Sequence, residues 1–577
     1  MLSNAAHQGD KMTTYDTIIA GGMVVDGTRA QRLRADVGIK DGQIAKIGRL
    51  RASDADEVLD ADGMIVAPGH IDLHTHYDAQ LFWDPYCTLS GWHGVTSIVI
   101  GNCGFGFAPV APEDRDRAML TMTRTEAIPF DAMAAGMPWD WVTYPEFLDA
   151  VDRTPKAVNM RSFFPLNPAL NWVLGYERAK AGEMPTDEEH AQLKALLHEA
   201  MDVGAGGWSV QRLRDSNVQR DHDGNPMNTD VMPNETLFQL AEVLAERNQG
   251  FIQATFAPDP ADETRTEHRR TYERLADISG RPVLFNVITP NAQRPEQHLK
   301  QIEWVESCRL RGLPIYGQAV TTDVGLAFTF EEWNLWDDME AWREATLGTV
   351  EERLAKLADP ARRPALRDSE SVAVTCPIAD IVLLEASSPQ YQRYAETRVG
   401  DIAVDLGVHP VDAMLDIAVA DNLAATFYAS GSFNNPDHLV DLLNYQWALP
   451  GVSDGGAHTR FLTAGRWPTE LLINGVRDRE IISLEDAHWR MAGLPAQCAG
   501  FTDRGTLTPG QAADVIVYDL DSLAIGPSEK VHDMPAGEWR RVQRASGYQY
   551  VLVNGEITIQ EDKETGTSPG RLLRETL

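Results

Sequence analysis

Apolar and polar positions alternate along residues 15–67 with the two-residue period of strands that bury one face. Residues 16–25 (DTIIAGGMVV) and 36–39 (DVGI) have this character. Asp41-Gly42 supplies a hairpin turn before residues 43–47 (QIAKI), and residues 64–66 end at Ala67-Pro68-Gly69. The same grammar returns near the other end. Residues 505–510 (GTLTPG) are turn-rich, 514–518 (DVIVY) read as a strand, and 550–557 (YVLVNGEI) as a hairpin. These ends predict a small β-sandwich domain assembled from residues 1–67 and 501–577. Between them, residues 68–500 alternate β-branched runs with helical stretches such as 188–203 and 235–247, the pattern of repeated βα units. Eight strands are expected, at 70–74, 96–100, 157–163, 207–210, 251–255, 282–288, 314–320 and 452–454. Eight parallel strands can close a barrel filled by their own side chains, so the expected fold is α/β, a TIM-type (β/α)8 barrel. A long insertion at about 322–449 separates the last two strands and suits a lid or an oligomer contact. Trp333, Trp336 and Trp342 within it fit core packing, or the wall of a substrate pocket.

Composition narrows the partners. The 577 residues carry 51 basic and 85 acidic side chains, a formal charge of −34. Phosphate backbones reward a basic surface, so a nucleic-acid partner is excluded and a small-molecule substrate fits better. No apolar run reaches the length of a membrane span, and the first fifteen residues lack the apolar centre of a secretory signal. The five cysteines are scattered and odd in number, which argues against a disulfide framework and for a reduced, cytoplasmic setting.

The sharpest chemical signal is residues 68–76, PGHIDLHTH. Residues two apart on an extended chain share a face, so His74 and His76 present two imidazoles together after the first strand, a spacing that suits a zinc-like divalent ion. The second is residues 451–458, GVSDGGAH, where Asp454 follows an apolar run among glycines that let a ligand approach the backbone. Taken alone, such an aspartate reads as a turn cap; paired with the histidines and at the last strand, Asp454 becomes a candidate ligand. The third is residues 101–106, GNCGFG, after the second strand. Cys103 there reads equally as a buried thiol or as a metal-bound thiolate.

The Pro-Gly-His-x-Asp-x-His-x-His stretch, the late Ser-Asp-Gly and the paired terminal β-segments resemble the amidohydrolase superfamily. The Gly-Asn-Cys-Gly motif with Phe107-Ala108-Pro109 is similar, more narrowly, to the D-aminoacylase (N-acyl-D-amino-acid deacylase) family, and residues 138–141 (PWDW) and 505–514 (GTLTPGQAAD) also fit. The resemblance spans about residues 15–571. It implies a zinc site with His74, His76, Cys103 and Asp454 as ligands. It also implies Asp454 as the base that takes a proton from the attacking water, and an arginine that holds the substrate carboxylate, for which Arg460 is the counterpart. Hydrolysis of an N-acyl amino acid follows.

The family pattern breaks at the fifth and sixth strands, which carry histidine ligands in the family. Here they read FIQAT and LFNVI, with Gln253 and Asn286 at the corresponding positions. Neutral amides are poor zinc ligands beside imidazole, so a single ion per chain is expected. Four protein ligands would close a tetrahedron, so either the ion is five-coordinate or Cys103 does not bind it. His222, in a polar loop after the fourth strand, is a replacement ligand or acid, or an exposed loop residue. Two alternatives stay open: a cyclic-amide hydrolase of the same superfamily, and a lapsed barrel serving as a binding or assembly subunit. The subunit count is open too, a homo-oligomer included.

Overall fold

A computed structural model describes residues 13–213, 219–256, 262–290, 295–331, 335–370, 376–431 and 436–574. Its centre is α/β. Strands β1 (His70–Asp72), β2 (Val95–Ile100) and β3 (Asn159–Ser162) form one parallel sheet. Strands β4 (Gly207–Arg212), β5 (Phe251–Phe256), β6 (Val283–Ile288), β7 (Ile315–Val320) and β8 (Leu449–Gly451) form a second, also parallel. The short strand Phe164–Pro165, which continues β3 past Phe163, lies at the edge of that second sheet beside β4. A parallel bridge between Thr75 and Gly455 ties the chain beyond β1 to the chain beyond β8.

The pleat decides what these strands offer. Phe251 and Leu284 join Ile71, Val99, Phe163 and Leu449 in one buried apolar cluster. The intervening Ile252, Ala254, Val283, Ile315 and Ala319 pack outward in the larger cluster that includes the surrounding helices. Two residues further along the first face stand Gln253, Asn286 and Gln318, all fully buried. A polar layer therefore sits directly on an apolar one.

The eighth strand lies three residues earlier than expected. Residues 452–454 follow β8 instead of forming it, and Val452 and Asp454 have φ of +62° and +47°, outside any strand conformation.

Both chain ends supply the second layer. Five strands between Tyr15 and Pro68 and four between Val515 and Glu564 share hydrogen bonds in a single nine-stranded sheet, not in two separate ones. Ile65–Pro68 pairs antiparallel with Val515–Tyr518 and so joins the termini. Val24, Val66, Val515, Val517 and Leu552 bury one face, while Val25, Ala67, Ile516, Tyr518 and Val551 bury the other against Trp467 and Leu471. Between β7 and β8 the chain adds helices and a four-stranded sheet over Leu326–Ala429. Trp336 and Trp342 are buried in its core with Phe328, Phe330 and Phe427; Trp333 lies outside the described residues.

Three histidines are sealed where the terminal sheet meets the centre. The His93 ring faces Thr469 Oγ1 (2.8 Å) and the Gln543 carbonyl (3.0 Å), His488 faces the Tyr518 hydroxyl (2.7 Å), and His70 stacks on His488. Burial pushes His70 down to about 3, His93 to about 4 and His488 well below its usual value. The unfolded chain therefore binds more protons than the folded one below pH ~6.5, and stability present above that pH is lost as pH falls toward 3–4. Between pH 6.5 and 5 each of these groups removes about 1.5 kcal/mol. In metal-free protein, wild type is expected to lose more thermal stability between pH 7 and 5 than His93→Gln. Equal losses would refute the assignment for His93.

Candidate active site

The site forms where β1, β2 and β8 end. His74 and His76 follow β1; the His74 N–H donates to Asp72 Oδ1 (3.1 Å), and the Trp467 indole donates to Asp72 Oδ2 (3.0 Å). Asp72 thus holds the chain that carries both imidazoles. The loop after β8 locks against it: the His76 N–H donates to the Gly455 carbonyl (2.6 Å), and Ser453 Oγ donates to the His74 carbonyl (3.1 Å). Glycine at 456 is obligatory. Its φ is +90°, and a Cβ there would lie 2.5 Å from the His76 carbonyl oxygen.

These clamps bring the sequence-predicted residues together. His74, His76 and Cys103 each offer a ligand atom, all within 4.8 Å of one another. Cys103 Sγ lies 3.4 Å from His74 Nε2. Asp454 Oδ1 lies 3.2 Å from His74 Nε2 and 3.9 Å from His76 Nε2. Cys103 and Asp454 both have left-handed backbones, a costly conformation that clusters at functional sites. Burial pushes the Cys103 thiol far up and the Asp454 carboxyl up, and pushes His74 down to about 4. Burial lowers His76 as well, so both imidazoles are pushed toward the neutral form that binds metal. Two convergent imidazoles, a thiol and a carboxylate are a donor set that fits a zinc-like ion.

Gln253 and Asn286 do not reach in as ligands. The Cys103 N–H donates to Gln253 Oε1 (2.7 Å), and Gln253 Nε2 donates to Thr255 Oγ1 (2.7 Å) and Asn286 Oδ1 (3.2 Å). Asn286 Nδ2 in turn lies 2.8 Å from His74 Nδ1. Gln318 extends the chain, and Thr255 Oγ1 lies 3.2 Å from Cys103 Sγ. The amides buttress the ligand candidates. Asn286→Leu is therefore expected to weaken metal retention by about 10–100-fold, as removal of a ligand's outer partner does. Metal counted after desalting checks this, and unchanged retention would count against the buttress.

Two expected residues are engaged elsewhere. Arg460 is buried, paired with Glu538 and set against the Trp539 ring. Its guanidinium faces a carboxylate of its own chain. His222 is half-buried between Asp221 (3.1 Å) and Arg117 (3.3 Å) and is not an exposed loop residue.

Sequence reasoning missed Glu126, the last residue of helix α1 (Arg115–Glu126). It is fully buried, with Oε2 at 3.1 Å from His458 Nε2 and 4.0 Å from His76 Nε2. Burial alone would raise its carboxyl; the imidazoles of His76, His458 and His74 outweigh that and hold it at about 2. Asp78, also buried, is pushed up to about 7 by burial. No local pattern marks either residue.

All five cysteines are free thiols, and among the described residues no helix is long and apolar enough to cross a membrane.

Residues 57–559 match the Amidohydrolase family. The chain is 26% identical over 572 residues to the D-aminoacylase of Alcaligenes xylosoxydans xylosoxydans, covering 97% of this chain and 98% of that one. A crystal structure of N-acyl-D-glutamate deacylase from Bordetella bronchiseptica, complexed with zinc and a phosphonate inhibitor, has the same fold, with a TM-score of 0.66 at 23% identity over 97% of this chain and all of that one. A D-aminoacylase structure described as having a binuclear metal centre matches equally well, with a TM-score of 0.66 at 23% identity over 97% and 100% of the two chains. The chain belongs to the Amidohydrolase family and is a metal-dependent hydrolase of C–N bonds other than peptide bonds.

Proposed function

We propose that this hydrolase deacylates an N-acyl amino acid, using one zinc ion per chain held by His74, His76 and Asp454, with Cys103 beside them. The observation that carries the reading is the convergence of those four side chains at the ends of three parallel strands. The strands β1 to β8 are read as one closed (β/α)8 barrel. Residues 1–67 and 501–577 form the terminal β-domain, 68–500 the barrel, and about 322–449 its insertion. Likeness to the D-aminoacylase supports the substrate class. The absence of histidine at Gln253 and Asn286 supports a single ion, in contrast to the binuclear centre described for a D-aminoacylase.

A bound zinc ion would acidify water and polarise the amide carbonyl. The remaining work falls to the chain. Asp454 Oδ1 takes the proton of the attacking water and returns it to the departing amine nitrogen, and it is the residue of the set that keeps some solvent exposure, 27% of its side chain. The Gly455-Gly456 backbone, which accepts from the His76 N–H and packs against the His76 carbonyl with no side chain in the way, holds the loop that carries this carboxylate. Thr255 and Gln253 fix Cys103, and Asn286 fixes the His74 ring. For Arg460 to take a substrate carboxylate, Glu538 would first have to release it.

Zinc-loaded protein offered N-acyl-D-amino acids, their L-isomers and cyclic amides tests the reading. Release of free amino acid from linear substrates is expected. Ring opening alone would transfer the assignment to cyclic amides, and no turnover of either class would favour a lapsed scaffold.

A further inference from the structure

We propose that Glu126 is a ligand of the cation site, entering on the flank of His76. The inference rests on the reading of His74, His76 and Asp454 as ligands and extends it to a carboxylate from a helix.

Glu126 is 0% exposed, and neither of its carboxylate oxygens makes a well-aligned hydrogen bond among the described residues. No arginine or lysine pairs with it there; the imidazoles that face it are His458 at 3.1 Å, whose proton affinity Glu126 raises, and His76 at 4.0 Å. A buried carboxylate without donors or a cation costs several kcal/mol, so the fold retains one only where something positive meets it. The His76 Nε2 atom it approaches is the one that also approaches Asp454 Oδ1, at 3.9 Å.

The separations suit a shared ion. Zinc bonds to nitrogen and oxygen are about 2.0–2.2 Å, so two ligands of one ion lie at most about 4.3 Å apart. His76 Nε2 to Glu126 Oε2, His76 Nε2 to Asp454 Oδ1 and His74 Nε2 to Asp454 Oδ1 all fall inside that limit. A cation drawn to that flank would be shared by the His76 imidazole and the two carboxylates that approach its Nε2 atom.

The backbone places Glu126 with the same care as the other candidates. Its carbonyl accepts from the His458 N–H (2.6 Å), which ties the end of α1 to the loop carrying Asp454. Ala127 then turns the chain away with φ of +52°. Two residues earlier, Arg124 forms a buried pair with Asp337 of the insertion (2.6 Å). The helix end is therefore anchored independently of the carboxylate, and Glu126→Gln preserves shape and anchoring while removing the charge.

Zinc-loaded wild type, Glu126→Gln, Glu126→Asp and His74→Ala are desalted together and their zinc counted. Cobalt(II) is then substituted and its visible spectrum recorded. The proposal expects Glu126→Gln to retain at least tenfold less zinc and to change the cobalt band, with Glu126→Asp intermediate. Wild-type zinc content and an unchanged cobalt band in Glu126→Gln, alongside metal loss in His74→Ala, would overturn the role of Glu126 and leave the wider reading intact. Retention in His74→Ala as well would overturn both. Should Glu126→Gln not fold, the anomalous zinc peak of a wild-type crystal decides: it is expected within about 2.3 Å of a Glu126 oxygen, and a peak beyond hydrogen-bonding distance would overturn the proposal.

Discussion

Replacing His74 with alanine is expected to strip most of the bound metal and to lower turnover by about 10³-fold or more, since the ion's Lewis acidity is worth several kcal/mol of transition-state stabilisation. His74 Nε2 faces both Cys103 Sγ and Asp454 Oδ1, and its other nitrogen faces Asn286, so its loss removes the atom shared by the whole group. The ring is buried in a polar layer above Ile71 and Val99, and the cavity also costs stability. Activity must therefore be compared in variant protein shown to be folded. Metal content and rate measured on the same sample check the expectation, and a folded variant with wild-type turnover would remove His74 from the site.

The second large effect separates binding from proton transfer. Asp454→Asn keeps the shape of the side chain and an oxygen toward His74 and His76, so it is expected to retain much of the metal. It cannot accept the water's proton, so kcat should fall by about 10²–10⁴-fold, the usual worth of a positioned acid–base group. The Ser453 and Gly455 contacts that fix the loop are untouched by the change. Parallel measurement of zinc content and kcat distinguishes the roles. Near-normal kcat would exclude Asp454 as the base, and loss of the metal together with rate would make it chiefly a ligand.

The imidazole pair, the cysteine and the late aspartate were legible because each lies in a short stretch whose local geometry dictates its exposure to the strand ends. The altered residues Gln253 and Asn286 were legible as departures, and pleat periodicity places both on the inner face. Their service to Cys103 and His74 was not, because it depends on the register Thr255–Asn286–Gln318 across three strands. The eighth strand was misplaced because β-branched Val452 looks like strand, whereas Leu449-Pro450-Gly451 does not; Pro450 is tolerated at a strand that pairs on one side only, with β7. Strand Ala55–Asp60 was missed for a related reason: its acidic residues face solvent and hide the alternation. Glu126 and the Arg460–Glu538 pair join residues far apart in sequence, 332 and 78 positions in the ion pairs with His458 and Glu538, and no pattern in one chain encodes such contacts.

The most direct test of the central claim is a zinc titration of chelator-treated protein with amide hydrolysis followed at each step. Hydrolysis should be lost with the metal and return in proportion to bound zinc, levelling at one ion per chain. Full hydrolysis by protein from which the metal has been removed would contradict the account.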